Sequence, residues 1–253
     1  MESKPRSSRG LLFWRIIVYN QCQEKFICRG ELMFNWFKKE KPRQLTIRDT
    51  LFGDMLLSEW AKDDNASAEP WVSFVKAKKL LEKKDKSSAV ALFQKITEMP
   101  GLESRHYLQA WHFLRQIGVN PPADKTKIVY GVVVEVGMKN GADIVAAYAD
   151  YTARYLNYSG SGVVWERPDQ SLDDKIKDLL DAGQAVANRI GPWEKERPAP
   201  PSADNVRLNM LTPSGLHFGY GGFQTLHNEP MGRAILDPAT ALMVSLTELG
   251  KKK

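Results

Sequence analysis

Residues 127–138 read KIVYGVVVEVGM, a run in which Tyr130, Val132, Val134 and Val136 alternate with Val129, Val133 and Glu135. β-Branched and apolar residues in both alternating sets describe a strand buried on much of both faces. Asn140-Gly141 marks a reversal. Beyond it, ADIVAAYAD and TARYLNY read as two short strands hinged near Asp150-Tyr151, Ser159-Gly160 makes another turn, and GVVWE at 162–166 closes a four-stranded antiparallel meander.

C-terminal to the meander the period changes from two to 3.6. Over residues 172–190, Ile176, Leu179, Leu180, Gly183, Val186, Ala187 and Ile190 form one apolar face; Ser171 is the expected N-cap, and Gly191-Pro192 is the stop. The proline-rich stretch WEKERPAPPSAD that follows predicts an extended, exposed linker. NVRLNMLTP and GLHFGYG then predict a hairpin turned at Pro213-Ser214-Gly215. A last helix is expected over 235–249, with Asp237-Pro238 as cap and first turn.

N-terminal to the meander, three helices are expected. The first opens at Pro70 with Trp71, Phe74, Val75, Lys78 and Leu81 on one face, and the second runs from Ser87 to Glu98 around Ala89, Val90, Phe93 and Ile96. The third runs from Glu103 to Gln116 with Tyr107, Trp111 and Leu114 on one stripe and Gly118 as its stop. Thr46 to Trp60 has a helical spacing interrupted by Gly53, which predicts a short helix or a strap over a core. The chain is therefore expected to be α+β: a helical subdomain over 45–120, then an α+β domain over 125–250 of order β-β-β-β-α-β-β-α. In topology that order is similar to the profilin-like, longin and roadblock group.

The formal charge of +6 suggests nucleic acid until it is located. Residues 1–32 carry six Lys/Arg against three Asp/Glu, and Lys251, Lys252 and Lys253 add three more positive charges at the other end. The body is balanced, so no basic stripe marks a phosphate backbone as the primary partner. Cys22 and Cys28 are the only cysteines, which leaves the body without a disulfide framework or zinc spacing. The apolar run Leu11 to Tyr19 contains Arg15 and falls short of the ~18–20 residues of a membrane span. Segment 1–32 is expected to be a dispensable arm or an upstream mis-start of the reading frame, with Met33 opening the ordered body, and the setting is expected to be cytoplasmic.

Catalytic motifs are sparse. His106 and His112 are six apart and diverge on one helix, so no metal is expected, and neither GYGG at 219–222 nor Gly137–Gly141 has the strand-to-helix context of a phosphate loop. No cofactor is expected either. What stands out is a polar and aromatic cluster: Tyr148, Asp150, Arg154, Tyr155, Asn157, Tyr158, Trp165 and Glu166. It could line a pocket in which Arg154 grips an anionic group; cross-strand pairing with an Asp–Arg or Arg–Glu bridge is the structural alternative. By alternation, Arg154 would share a face with Tyr158, and Tyr155 with Asn157.

The first two helices resemble a tetratricopeptide-type hairpin through Ala77, Leu80, Ala89, Phe93 and Pro100-Gly101, although Ser73 stands where that repeat prefers Trp. The segments AAYADYTARYLNYSGSGVVWE, ITEMPGLESRHYLQAWHFLRQIG and LTPSGLHFG resemble a bacterial cytosolic protein family with no assigned activity, over roughly Leu45 to Leu249. That resemblance implies a shared fold and transfers no catalytic residue. The leading functional expectation is an adaptor with a protein partner. The alternative is a small-ligand-binding protein or enzyme using the Tyr148–Glu166 cluster.

Overall fold

A computed structural model describes residues 45–251. The expectations for the arm 1–32, for Cys22 and Cys28 and for a start at Met33 lie outside these residues.

Six strands form one antiparallel sheet: β1 (Gly131–Met138), β2 (Gly141–Tyr148), β3 (Ala153–Leu156), β4 (Gly162–Trp165), β5 (Asn205–Thr212) and β6 (Gly215–Gly222), in the spatial order β4-β3-β2-β1-β5-β6. The meander read from sequence is present, and the hairpin β5–β6 joins it through pairing of β5 with β1. This places β1 at the centre. Its two-sided burial follows, since Val132 and Val134 face one layer while Val133 and Glu135 face the other. The first strand opens at Gly131, four residues later than the apolar run begins.

One face of the sheet is covered by α5 (Asp173–Ala187), α6 (Phe223–Asn228) and α7 (Pro230–Lys251). Ile176, Leu179, Val186 and Ala187 of α5 and Ile235, Leu242 and Leu246 of α7 pack there on Val132, Val145, Leu208 and Met210. Helix α5 comes close because Gly183 has no side chain: a Cβ at that position would lie 2.4 Å from Val132 Cγ2. Leu180, expected in this contact, is only half-buried at its edge. Ser171 is not the N-cap. Its backbone N–H donates to Asp169 Oδ1 at 2.8 Å, closing a local turn, and the boundary falls at Leu172. Lys127 donates to the carbonyls of Asn188 and Ile190, meeting the open end of the helix with a positive charge.

The last helix starts at Pro230, two turns ahead of the expected position, and runs through Pro238 without ending. Proline is tolerated in a first turn, so Pro230 opens the helix. The missing N–H of Pro238 costs one bond while buried Ile235, Leu236 and Ala239 hold the turn against the sheet.

The opposite face is covered by a 3-10 turn (Ile47–Leu51) and α4 (Ser104–Gln116), where Leu51, Phe52 and Leu108 pack on Val133, Ile144, Ala146, Tyr148 and Leu211; α1 (Leu57–Trp60) lies among the helices, with Trp60 against Trp71, Phe74 and His106. The strap expected over 46–60 is thus real. Helices α2 (Trp71–Glu82) and α3 (Lys86–Glu98) pack on the outer side of α4 through Phe74, Phe93 and Phe113, whose ring centroids lie 5.2–6.2 Å apart. Asp85 caps α3 by accepting from the Ser88 N–H. Helix α4 meets both the other helices, through Phe113, and the sheet, through Leu108.

The segment after α5 is extended, as its prolines require, but it is not a free linker. The Trp193 N–H donates to the Leu216 carbonyl at 2.6 Å and the indole meets Phe218 at 5.1 Å. Farther on, Ser202 passes over β1 at Gly137, where a Cβ would lie 1.9 Å from the Ser202 carbonyl oxygen. The chain therefore wraps the β6 edge and crosses the second face before entering β5.

Candidate functional site

The cluster singled out by sequence is divided between the two faces. Tyr148 is fully buried and donates its hydroxyl to the Leu51 carbonyl at 2.7 Å; burial pushes that hydroxyl well above its usual range. Arg154, 7% exposed, donates to the carbonyls of Ala153 and Trp165 and pairs with Glu166 at 2.7 Å. Asp150 accepts from the Ser104 N–H and from Thr152, tying the β2–β3 turn to the start of α4. Trp165 lies in the core under α5 and α7. Strand β3 ends at Leu156, so alternation does not extend to Asn157, whose Oδ1 accepts from Ser159 and Ser161 and folds the next turn. Tyr155 and Tyr158 of this cluster lie at the edge of a groove, the Tyr155 hydroxyl donating to Asp143 Oδ2 at 3.3 Å and the Tyr158 N–H to Oδ1 at 2.8 Å.

That groove, of about 330 Å³, opens on the α5–α7 face and is lined by Val134, Val136, Asp143, Val145, Phe223, Leu236, Ala239, Thr240 and Met243. Its walls are aliphatic. Phe223, 37% exposed, stands at its mouth, and Asp143, fixed by the Tyr155 hydroxyl and the Tyr158 N–H, supplies a polar rim.

On the other face lies a group of charges that the sequence reading passed over. Glu135, without exposed surface, accepts two bonds from Arg48 and one from Asn209 Nδ2, with Arg207 at 3.6 Å. Arg197 of the wrapping segment pairs with Asp49 and Asp54 and lies 4.2 Å above the Phe52 ring. Arg207 donates to the Ala199 carbonyl and faces the rings of Phe218 and Tyr220. A signal was present. Glu135 interrupts an otherwise apolar central strand, and Arg207 and Asn209 alternate on β5 against it, since Glu135 is in register with Arg207. A charge inside a buried strand demands partners.

Beside this cluster an open cleft of about 280 Å³ is lined by Phe52, Gly53, Asp54, Leu108, Arg115, Leu211, Thr212, Gly215 and Leu216. Burial pushes the Arg115 guanidinium down to about 10, partly offset by Asp54. At the end of the same hairpin, His217 is buried between Ser214 Oγ, 3.1 Å from Nε2, and the Ile190 carbonyl, 3.2 Å from Nδ1. Burial holds it down to about 4, so the ring is neutral near pH 7 and pins the turn to the end of α5.

Comparison with protein-family models, with curated proteins and with solved structures finds no match to this chain. Among the described residues no group of three or more His, Cys, Asp or Glu is placed to hold a metal, and no helix is long and apolar enough to cross a membrane.

Proposed function

We propose that the protein is an adaptor of the bacterial cytoplasm that binds a protein partner through the groove between β1, β2, α6 and α7. The observation that supports this is the groove's composition: an aliphatic floor, an aromatic ring at the mouth and a polar rim, the anatomy of a site that receives an apolar anchor from another protein. Tyr155 and Tyr158 are the members of the sequence-singled cluster that contribute, by fixing Asp143. The reading of Tyr148–Glu166 as a ligand pocket loses its best support, because Arg154 is covered and paired.

The test is a photo-cross-linker placed at Met243 or Thr240 in the groove and at exposed Glu82 as a control, in cells. A partner recovered from both groove positions, absent from the control and lost with Phe223→Asp, is the expected result. Equal recovery from all three positions, or none, ends the proposal; thermal unfolding of Phe223→Asp checks that the variant is folded.

A second reading, small-ligand binding, is favoured by the cleft at Arg115.

A further inference from the structure

Arg115 differs from the other arginines that are not exposed. Arg48, Arg105, Arg154, Arg197 and Arg207 each lie within 3.6 Å of a carboxylate oxygen. Arg115, among the described residues, has one protein acceptor, the Pro213 carbonyl, which takes Nη1–H. Nε and Nη2 are left without an acceptor and are not sealed away. Both pass close to Gly215, whose Cα hydrogen is all that stands on that side: a Cβ there would lie 3.8 Å from Nε and 3.9 Å from Nη2.

The charges around the cleft sharpen this. Arg48 and Arg207 of this face meet Glu135, and Arg197 meets Asp49 and Asp54. Asp54, which also lines the cleft, makes no hydrogen bond to Arg115 among the described residues; its two oxygens accept from Arg197, at 2.6 and 3.2 Å. Arg115 thus offers a planar fork suited to bidentate recognition of an anion.

We propose that this cleft binds the carboxylate of a small aliphatic acid, with Arg115 Nε and Nη2 donating to its two oxygens and the short acyl chain lying against Phe52, Leu108, Leu211 and Leu216. A monoanion is favoured over a phosphate dianion, which would bring a second negative charge toward Asp54. The apolar walls select against an ion with no chain, and the cleft is too small for a nucleotide. The site is independent of the partner groove, which lies on the opposite face of the sheet.

The experiment is a titration of the full chain with formate, acetate, butyrate, octanoate, chloride and inorganic phosphate at constant ionic strength, read by calorimetry and by the arginine Nε–H resonances. Butyrate should bind most tightly and shift one Nε–H resonance. Arg115→Gln should weaken it by about tenfold or more, and Arg115→Lys should retain only part of the affinity. Leu216→Trp, at a half-exposed wall, should fill the cleft and abolish butyrate binding while leaving the guanidinium in place; it decides the matter if Arg115→Gln does not fold. Absence of binding by every carboxylate, tighter binding of phosphate, or butyrate affinity unchanged in Leu216→Trp overturns the proposal.

Discussion

Arg48 Nη2 lies 3.1 Å from Glu135 Oε2, and a second bond joins Arg48 Nε to Oε1, so that a residue of the N-terminal 3-10 turn is locked by two prongs to the middle of the central strand. The pair is buried on both sides, 10% and 0% exposed. A buried pair contributes little net stability compared with apolar residues of the same shape, but removing one member strands the other in a medium that solvates charge poorly.

Arg48→Met should therefore destabilise the protein by about 3–5 kcal/mol, since Glu135 retains only Asn209 and the more distant Arg207. Chemical denaturation of the variant against the parent measures it. The double variant Arg48→Met, Glu135→Leu should recover part of the loss only if Arg207 keeps its carbonyl partners at Pro198 and Ala199. A loss below about 1 kcal/mol in the single variant would mean that water reaches the carboxylate.

Arg154→Ala should lower stability by about 1.5–3 kcal/mol, because the guanidinium satisfies two strand carbonyls as well as Glu166. Glu166→Ala should cost about 0–1 kcal/mol, its carboxylate being 60% exposed. The two unfolding curves test this asymmetry, and neither variant should change butyrate affinity at Arg115.

Acid should weaken the fold before the carboxylates titrate. His217 and His112 are both held down to about 4, His217 by burial and then by Lys127 with the Ile190 carbonyl opposing, His112 by burial and then by Arg115 and Arg197 with Asp54 opposing. Burial lowers His106 as well. For His217 and His112 the unfolded chain takes up the proton near pH 6.5 and the folded chain only near 4. Stability is thus fully present above about pH 6.5 and is lost as pH falls toward 4. For His217 the full loss is on the order of 3 kcal/mol. Unfolding midpoints across this window should fall in the parent and fall less in His217→Gln; a flat profile between pH 6.5 and 5 would show that the imidazole is solvated.

Leu179→Ala should cost about 2–5 kcal/mol and Leu180→Ala clearly less, since Leu179 is fully buried while Leu180 borders the core. Gly183→Ala, which adds volume against Val132, should destabilise by about 1–3 kcal/mol. Equal losses at Leu179 and Leu180 would indicate a rotated helix.

What the sequence determined by itself is what short-range pattern determines. The period-two run at Val132–Val136, the turns at Asn140-Gly141 and Pro213-Ser214, and the helical spacings of Phe74–Leu81 and Ile176–Ala187 placed the strands and helices and the α+β class, because backbone geometry repeats over a few residues. Boundaries went astray where a local signal met packing. Asp237-Pro238 looks like a helix start, yet Ile235 and Leu236 are buried on the sheet and carry the helix through. Nor could pattern show that residues 193–204, polar and proline-rich, would wrap the sheet edge and deliver Arg197 to Asp49 and Asp54. The same holds for the candidate sites. Residues close along the chain, Tyr148 to Glu166, suggested a site, and alternation across a pleated strand sent them to opposite faces and into internal bonds. Arg115, Asp54 and Leu216 are far apart in sequence, and only the meeting of α4, the 3-10 strap and the β5–β6 turn makes them a cleft, because a site is set by which elements pack together and not by which residues adjoin.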